Sequence, residues 1–276
     1  MREDLMKRNN GSRRSTHPNG LKENTSQLIQ IASPTVIVQL FNWLIVTETA
    51  AVVGRHLGNT ELAAFSLATM TGNISCLAII LGTMSASDTL SPRAFGSGNY
   101  AEVGRLAVRA FLLCLIALVP SLIAICCYIE PILLAMGQDE VVVELIPSWM
   151  YFYAASVPFI LLHRVVQRFL TCQGIVMPMM RVNAIVALII HPLNLYFFVP
   201  QYGFVGSAIA WVLTRALQVL VLILLLCVER PHHPETWPAL AELLSSGQYW
   251  KDVLRFQDVV EFIRLSIGGI MTFSEW

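Results

Sequence analysis

Six stretches of the chain, each about 20 residues or longer, are rich in aliphatic and aromatic side chains and nearly free of charge. A helix needs about 20 consecutive apolar residues to cross the roughly 30 Å hydrocarbon core of a bilayer. Backbone amides in lipid must be hydrogen-bonded within their own segment, so we predict that each stretch is a transmembrane helix. The fold class is then an all-α integral membrane bundle of six helices, followed by a seventh that begins near residue 259 and is cut short at Trp276. The six stretches are 27–53, 62–86, 104–128, 141–163, 176–199 and 205–228.

The composition identifies lipid as the solvent for these stretches. Charged residues make up 13% of the chain, about half of the roughly 25% that soluble domains carry, and the mean hydropathy is +0.63. The 18 Lys and Arg residues balance 18 Asp and Glu residues, so no basic excess favours a nucleic-acid partner. The partner that the composition predicts is the lipid bilayer.

Sequence motifs for catalysis are missing. There is no GxxxxGK[ST] phosphate loop, no GxSxG elbow, no HExxH pair and no Cys/His cluster at zinc-ligand spacing. We therefore predict that the chain is not an enzyme and holds no metal or organic cofactor.

Polar segments divide the chain into four parts. Residues 1–26 lack the apolar core of a signal peptide and are expected to form a disordered cytosolic arm. Residues 27–228 form the six-span unit, and 259–276 are the start of the seventh span. Between them, residues 229–258 are a polar linker with an amphipathic helix expected near 238–256. This helix is either an ordinary linker helix or one that lies in the membrane interface.

Lys and Arg are distributed unevenly over the segments between spans. Most lie in the N-terminal arm or after spans two, four and six, whereas Arg55 stands on the other side and Arg215 lies within span six. Cytosolic loops are enriched in Lys and Arg. We therefore predict a multi-pass protein with its N-terminus in the cytosol. The expected location is the plasma membrane or the vacuolar membrane.

Short motifs follow one another in a fixed order along the spans. They read VVGRHLGNTELAAFSLA, SASDTLSPRAFGSGNYAEVG, GQDEVV, QRFLTCQGIVMP, HPLNLYFFV followed by GFVGSAIAW, and FIRLSIGGIMTFSEW. In this order and spacing they resemble the landmarks of eukaryotic multidrug and toxic-compound extrusion (MATE) transporters, over about residues 27–276. Three positions depart from the pattern, since Arg93 and Thr171 stand where Gln is usual and Leu195 stands where Tyr is usual.

The resemblance implies a fold and an activity. MATE proteins have twelve helices in two six-helix lobes around a central cleft, and they export organic cations and xenobiotics in exchange for protons or sodium ions. The chain is then the N-terminal lobe, and we expect a second lobe as its partner. Two alternatives stay open: a non-transporting half-transporter, regulatory or truncated, and a lipid or oligosaccharide flippase of the same superfamily, for which Arg215 is the supporting basic residue within a span.

Polar side chains inside the first two spans are candidates for binding the substrate or the coupling ion, because charged groups in lipid are costly to keep. Glu48 is a carboxylate in the outer half of span one, where it binds a proton, a sodium ion or a cation, or else reaches the outer interface. Its neighbour Thr49 is the position at which the resemblance places an acid of some prokaryotic relatives. Gln39 and Asn42 share a face with Thr49 and line either a wet cleft or a helix contact. Asn73 in span two has the same two interpretations.

Three further groups complete the candidate residues. His191 and Asn194 flank the helix-kinking Pro192 in span five, where a cation or proton site competes with a packing role. Glu275 matches the acidic residue of the family's EW motif, which the resemblance places in the central cleft. Asp88 is expected to pair with Arg93 or Arg105 in a cytosolic gate or a structural salt bridge, and Arg215 to pair with an acid such as Glu48 or to snorkel.

Aromatic residues lie mostly near the ends of the predicted spans, where rings anchor a protein at the membrane interface. Trp43 is nearer mid-span and is also a candidate for a cation–π contact with an organic cation. The residues interpreted as anchors are Trp149, Tyr151, Tyr153, Tyr196 and Trp211.

Overall fold

Helices make up nearly the whole of the computed structural model, which describes residues 18–236 and 247–274. No strand occurs in these residues, and five of the helices are long and apolar enough to cross a membrane. The predicted all-α membrane fold is therefore confirmed. The helices are α1 (Pro18–His56), α2 (Asn59–Gly96), α3 (Tyr100–Ala135), α4 (Glu140–Thr171), α5 (Met177–Glu229), α6 (Gly247–Val253) and α7 (Phe256–Ser274).

The longest helix, α5, is a hairpin of two antiparallel helices. Its 53 residues would measure about 80 Å if straight, more than twice the apolar thickness of a bilayer. The backbone leaves helical geometry at Gly203 (φ 56°, ψ −130°), a region that favours glycine. Side chains from the two arms then meet, since His191 Nδ1 lies 2.9 Å from Thr214 Oγ1. The predicted fifth and sixth spans lie on either side of this turn.

Two features hold the hairpin closed. At Gly206 a Cβ atom would lie against the carbonyl oxygen of Phe198, well inside contact distance, so the two arms approach backbone to backbone. At the open end, Arg181 Nη1 lies 2.7 Å from Glu229 Oε1. Close backbone approach through small residues is how membrane helices pack without a hydrophobic driving force.

The first helix begins earlier than the sequence predicts. The helix α1 begins at Pro18, so it includes residues 18–26. Proline is favourable at a first helical position, and an existing helix extends at little cost per residue. The prediction of a disordered arm is therefore wrong for residues 18–26, while residues 1–17 lie outside the described part of the chain.

An aromatic cluster at the centre of the bundle joins α2, α4 and α5. The ring of Trp149 lies 5.4 Å from that of Phe65, 5.7 Å from Tyr153 and 5.7 Å from Trp211. Trp149 is 0% exposed, and Tyr153 and Trp211 are also buried. The prediction that these three residues anchor the membrane interface is wrong, because neighbouring helices cover them. Tyr151 and Tyr196 are exposed, as an anchoring role requires.

The segments after α2, α4 and α5 meet at one end of the bundle. Asp88 Oδ1 lies 3.1 Å from Arg168 Nη1. The predicted partners of Asp88, Arg93 and Arg105, are wrong: Arg105 lies 2.8 Å from Glu102, and Arg93 is exposed with no ion pair in the described residues. The sequence brings Arg93 and Arg105 close to Asp88 along the chain, but folding places the end of α4 beside it.

A single buried arginine attaches the linker to the bundle at this end. Arg109 of α3 is 1% exposed, and its Nε donates to the carbonyl oxygen of Val253 at 2.7 Å. Its Nη2 donates to the Asp252 carbonyl at 3.1 Å and to Asp258 Oδ2 at 3.2 Å, while Nη1 donates to Glu102 Oε1 at 3.2 Å. One guanidinium therefore connects α3, α6 and the first turn of α7.

The last helix, α7, packs closely on α2. A Cβ atom at Gly269 would collide with Ser85 Oγ and the carbonyl oxygen of Gly82. Ser266 is buried in the same contact, and Phe262 is 0% exposed. Small residues on both helices thus fix the position of the predicted seventh span against the second. The predicted helix near 238–256 is described only as α6, since residues 237–246 lie outside the described part.

Candidate functional site

A polar cleft of about 150 Å3 opens between α1, α2, α4 and the second arm of α5. It brings together the predicted residues Gln39, Asn42 and Asn73, which come from two different helices. Trp43, 64% exposed, also lines it. The remaining lining residues are Val46, Leu77, Leu81, Tyr153, Ile160, His163, Arg164, Trp211, Arg215 and Gln218.

Asn73 lies where α2 departs from α-helical geometry. Residues Asn73–Leu77 form a π-helical turn, a rare feature that is frequent at functional sites. At the preceding Gly72, a Cβ atom would lie 2.6 Å from Cζ of Tyr153. The absence of a side chain there lets the Tyr153 ring pack on the helix immediately beside the cleft.

Two arginines face the cleft, and neutral amides hold both of them. Arg164 Nη1 donates to Gln39 Oε1 at 3.1 Å and to Gln167 Oε1 at 3.2 Å. Arg215 Nη1 donates to Gln218 Oε1 at 3.0 Å, and its guanidinium lies 4.7 Å above the centre of the Trp211 ring. The cation–π contact of the described cleft is therefore this one, whereas the predicted contact of Trp43 stays a prediction.

A buried amide supports Arg215 from behind. Gln218 Nε2 donates to Asn183 Oδ1 at 2.6 Å and lies 3.3 Å from His163 Nε2. Asn183 is itself fixed through its bond to the carbonyl oxygen of Met179 at 2.8 Å. Sequence reasoning missed this network, and it assigned Arg164 to a segment between spans. The available signal was the i, i+3 pairing of Arg215 with Gln218 and of Arg164 with Gln167.

Glu48 lies in a second, larger cleft, of about 570 Å3, between α1 and the first arm of α5. Pro192, Tyr196 and His56 also line this cleft. Glu48 Oε2 is buried without a hydrogen-bond partner among the described residues. The predicted pairing of Glu48 with Arg215 is wrong, because the two side chains belong to separate clefts. A charged oxygen without a partner is costly in such a place, so the site favours a cation, a proton included.

His191 and Thr49 form a buried chain of hydrogen bonds across α1 and α5. Thr49 Oγ1 donates to the carbonyl oxygen of Ile45 at 2.9 Å and lies 2.9 Å from His191 Nε2. Asn194 Nδ2 donates to Thr214 Oγ1 at 3.0 Å, and that hydroxyl lies 2.9 Å from His191 Nδ1. Donors and acceptors balance when neutral His191 carries its proton on Nε2. The geometry therefore supports packing for His191, and it separates Thr49 from the face of Gln39 and Asn42.

A second π-helical turn, Val186–Ile190, ends immediately before His191. Pro192 follows, and its ring cannot sit at α-helical distance from the carbonyl of residue 188. The helix widens at this point, so the predicted departure from regular geometry at Pro192 takes the form of a π turn. Glu275, the remaining candidate, lies outside the described residues, and its role stays a prediction.

Comparison with known proteins decides the family. A family model described as MatE matches residues 34–196. The chain belongs to the MATE family. The matched MATE region contains Glu48, Asn73, His191 and Asn194, whereas Arg215 and Gln218 lie beyond it.

The MATE relatives of the chain include transporters from animals and fungi. The rat multidrug and toxin extrusion protein 1 is 30% identical over 260 residues, which cover 93% of this chain and 43% of the relative. An uncharacterized transporter of Schizosaccharomyces pombe is 38% identical over 191 residues, covering 68% of this chain and 35% of the relative. The chain thus spans less than half the length of these two MATE relatives.

A solved structure shows the same MATE fold. A crystal structure of a eukaryotic MATE transporter superimposes with a TM-score of 0.77 at 22% sequence identity. The alignment covers 91% of this chain and 53% of the solved one. At this identity the likeness concerns the fold, and site residues have to be judged from the chain itself.

Proposed function

We propose that the chain forms the first lobe of a secondary antiporter that exports amphipathic organic compounds in exchange for protons or sodium ions. The observation that carries the proposal is the cleft between α1, α2, α4 and α5, in which aromatic rings and a few fixed polar groups face one space. Such a lining is typical of small-molecule sites. The name of the rat relative, multidrug and toxin extrusion protein 1, agrees with drugs and toxins as the class of substrate.

Coupling to an ion is proposed to use Glu48. Its carboxylate has a buried oxygen without a partner, in a cleft separate from the polar one. Binding of a proton or sodium ion there would neutralise the group and alter how α1 packs on the first arm of α5. Alternating access in transporters built from repeats needs such an event to favour one of two lobe arrangements.

The organisation that goes with this function is also a proposal. Residues 27–228 form the lobe, 229–258 connect it to the part that begins at 259, and Glu275 completes the central cleft with a second lobe. The segments after α2, α4 and α5, which are rich in Lys and Arg, meet at the end of the bundle where Asp88 pairs with Arg168. Their charge supports a cytosolic location for that end and for the N-terminus. The membrane is proposed to be the plasma membrane or the vacuolar membrane.

Efflux from cells tests the proposal. The complete reading frame that contains the chain is expressed, and efflux of ethidium, a fluorescent organic cation, is followed with and without a proton or sodium gradient. We expect gradient-dependent efflux that Glu48→Gln reduces by about tenfold or more, whereas Glu130→Gln, at an exposed site on α3, leaves it unchanged. Glu275→Gln is measured alongside.

Two results would overturn parts of the proposal. Full gradient-dependent efflux in Glu48→Gln would remove Glu48 from coupling. A protein that reaches the membrane and binds ethidium but moves none of it would favour the alternative of a non-transporting half-transporter.

A further inference from the structure

We infer that the polar cleft contains an anion subsite, in which Arg164 and Arg215 bind a carboxylate, sulfonate or phosphate group of the molecule that the protein handles. This inference deepens the proposed function, and it is tested by binding as well as by transport.

The described lining of the cleft carries positive charge without a matching negative charge. Two guanidinium groups line it, and no carboxylate is among the described residues that line it. Four other arginines in the described residues, Arg105, Arg109, Arg168 and Arg181, form ion pairs with acids. Arg164 and Arg215 have only neutral amide acceptors. Because Arg164 and Arg215 line the same cleft and neither has an acidic partner among the described residues, we infer that their counter-charge arrives with a ligand.

The Arg215 side chain has a hydrogen-bond donor that is not used. Arg215 is 9% exposed, and its Nε has no hydrogen-bond partner in the described part of the chain. Buried hydrogen-bond donors in proteins are nearly always paired, so the unpaired Nε of Arg215 indicates that an acceptor binds there. A guanidinium presents its donors in a planar fork that fits a carboxylate or phosphate group in two-point contact.

The guanidinium of Arg215 is held in place before any ligand binds. The Trp211 ring lies against one face of the Arg215 guanidinium, and Gln218 fixes Nη1. Gln218 is in turn held by Asn183 at 2.6 Å. A site whose donors are already oriented loses little conformational entropy when it binds.

The size and walls of the cleft define the class of ligand. At about 150 Å3 it is smaller than the roughly 300–1,000 Å3 of sites that enclose a drug-sized molecule. It therefore accommodates only the anionic head group of a ligand. The aromatic part of the ligand would lie outside the cleft, beside Trp43 and Tyr153. The inferred ligand is an amphipathic organic anion, or a zwitterion that presents its acidic group to this lobe.

A pair of dyes with the same ring system tests the inference. The full chain is placed in phosphatidylcholine nanodiscs, and equilibrium binding of fluorescein, an anion, is compared with that of rhodamine 6G, a cation. We expect Arg215→Met to weaken fluorescein binding about tenfold or more, as the loss of a charge-assisted hydrogen bond implies. Arg164→Gln should weaken it several-fold, and rhodamine 6G binding should not fall in either variant.

Two further variants separate loss of the site from loss of the fold. Arg55→Met removes one positive charge at an exposed position outside the cleft and should bind fluorescein like the unmodified chain. Arg215→Lys keeps the charge without the fork and should restore part of the binding that Arg215→Met loses. Equal fluorescein affinity in the unmodified chain, Arg215→Met and Arg164→Gln would overturn the inference.

The source of the anionic group is identified by competition. If benzoate displaces fluorescein and phosphatidic acid in the nanodisc does not, the subsite takes a soluble organic anion; the reverse result assigns it to a lipid head group, as in a flippase. Displacement by neither would overturn the inference.

Efflux separates this inference from the proposed function. Fluorescein binding that depends on Arg215, in a protein without efflux, refutes transport and keeps the subsite. Efflux without such binding refutes the subsite alone.

Discussion

The attachment of the linker to the bundle by Arg109 leads to a sharp prediction about local stability. In Arg109→Met the side chain keeps an unbranched apolar stem but loses the four hydrogen bonds to Val253, Asp252, Asp258 and Glu102. Removing one partner of a buried ion pair costs roughly 3–5 kcal/mol. Here the two carboxylates are partly exposed and can be rehydrated, so we expect a somewhat smaller cost than that, about 2–4 kcal/mol.

The expected effect is confined to α6 and the start of α7. A loss of about 2–4 kcal/mol corresponds to local opening that is roughly 30-fold to several hundred-fold more frequent. Hydrogen exchange followed by mass spectrometry on a peptide covering 247–258 measures this directly, while peptides from α4 should be unchanged. Arg109→Lys should fall between Arg109→Met and the unmodified chain, because an ammonium cannot reach all four acceptors.

A matched control is available one helical turn away. Arg105 pairs with Glu102 and Asp252 but is 25% exposed, and exposed ion pairs contribute roughly 0–1 kcal/mol. Arg105→Met should therefore accelerate exchange by less than about fivefold. If Arg109→Met and Arg105→Met gave the same exchange rates over 247–258, the reasoning from burial would be refuted.

Two further predictions concern the α5 hairpin and the start of the linker. Gly206→Ala places a methyl group against the Phe198 carbonyl and should destabilise the fold by about 1–3 kcal/mol, measured as a lower thermal unfolding temperature in detergent. In the control Gly96→Ala the methyl group meets open space, so the unfolding temperature should not fall. Equal unfolding temperatures for the two variants would contradict the hairpin geometry. Burial, and then the nearby charge of Arg230, lower the pKa of His232, so folding keeps its ring neutral. The resulting stability is complete above about pH 6.5, the value of an unfolded histidine, and is lost as the pH falls from there through the folded pKa. Exchange in 230–236, corrected for intrinsic rate, should therefore rise between pH 7.5 and pH 5.5, and the extra rise should be absent in His232→Gln; an identical rise in that variant would exclude His232 as the cause.

The sequence was sufficient to predict that the helices exist and where each lies in the chain, because the thickness of lipid dictates the length of their apolar parts. The boundary between the predicted spans 176–199 and 205–228 coincides with the hairpin turn at Gly203. Helix ends were predicted too short, since capping and interfacial residues continue a helix beyond its apolar core. Asp139, for example, accepts a hydrogen bond from the Val141 amide at 2.9 Å and starts α4 before its apolar run.

The candidate site was predicted only in part. Gln39, Asn42 and Asn73 were recognisable as polar residues in apolar spans, and the structure places them together. Arg164 was not, because hydropathy assigns an arginine to a loop whenever it stands near the end of a span. The partner of Asp88 and the burial of Trp149 depend on which helices become neighbours, and a single sequence carries little information about that.

The π turn at Asn73–Leu77 has a consequence for how α2 tolerates changes in length. A π turn accommodates one residue more than the regular helix around it, and each residue turns an α-helix by about 100°. Deleting one residue inside the turn would let α2 close into an uninterrupted α-helix with its amide ladder intact. Because the wider turn has already absorbed the extra residue, the half that carries Gly72 would keep nearly its present orientation relative to the half that carries Ser85, and the two faces would still meet Tyr153 and Gly269. The same deletion in a regular turn of α2 would instead rotate one of these faces by about a quarter of a revolution away from its partner.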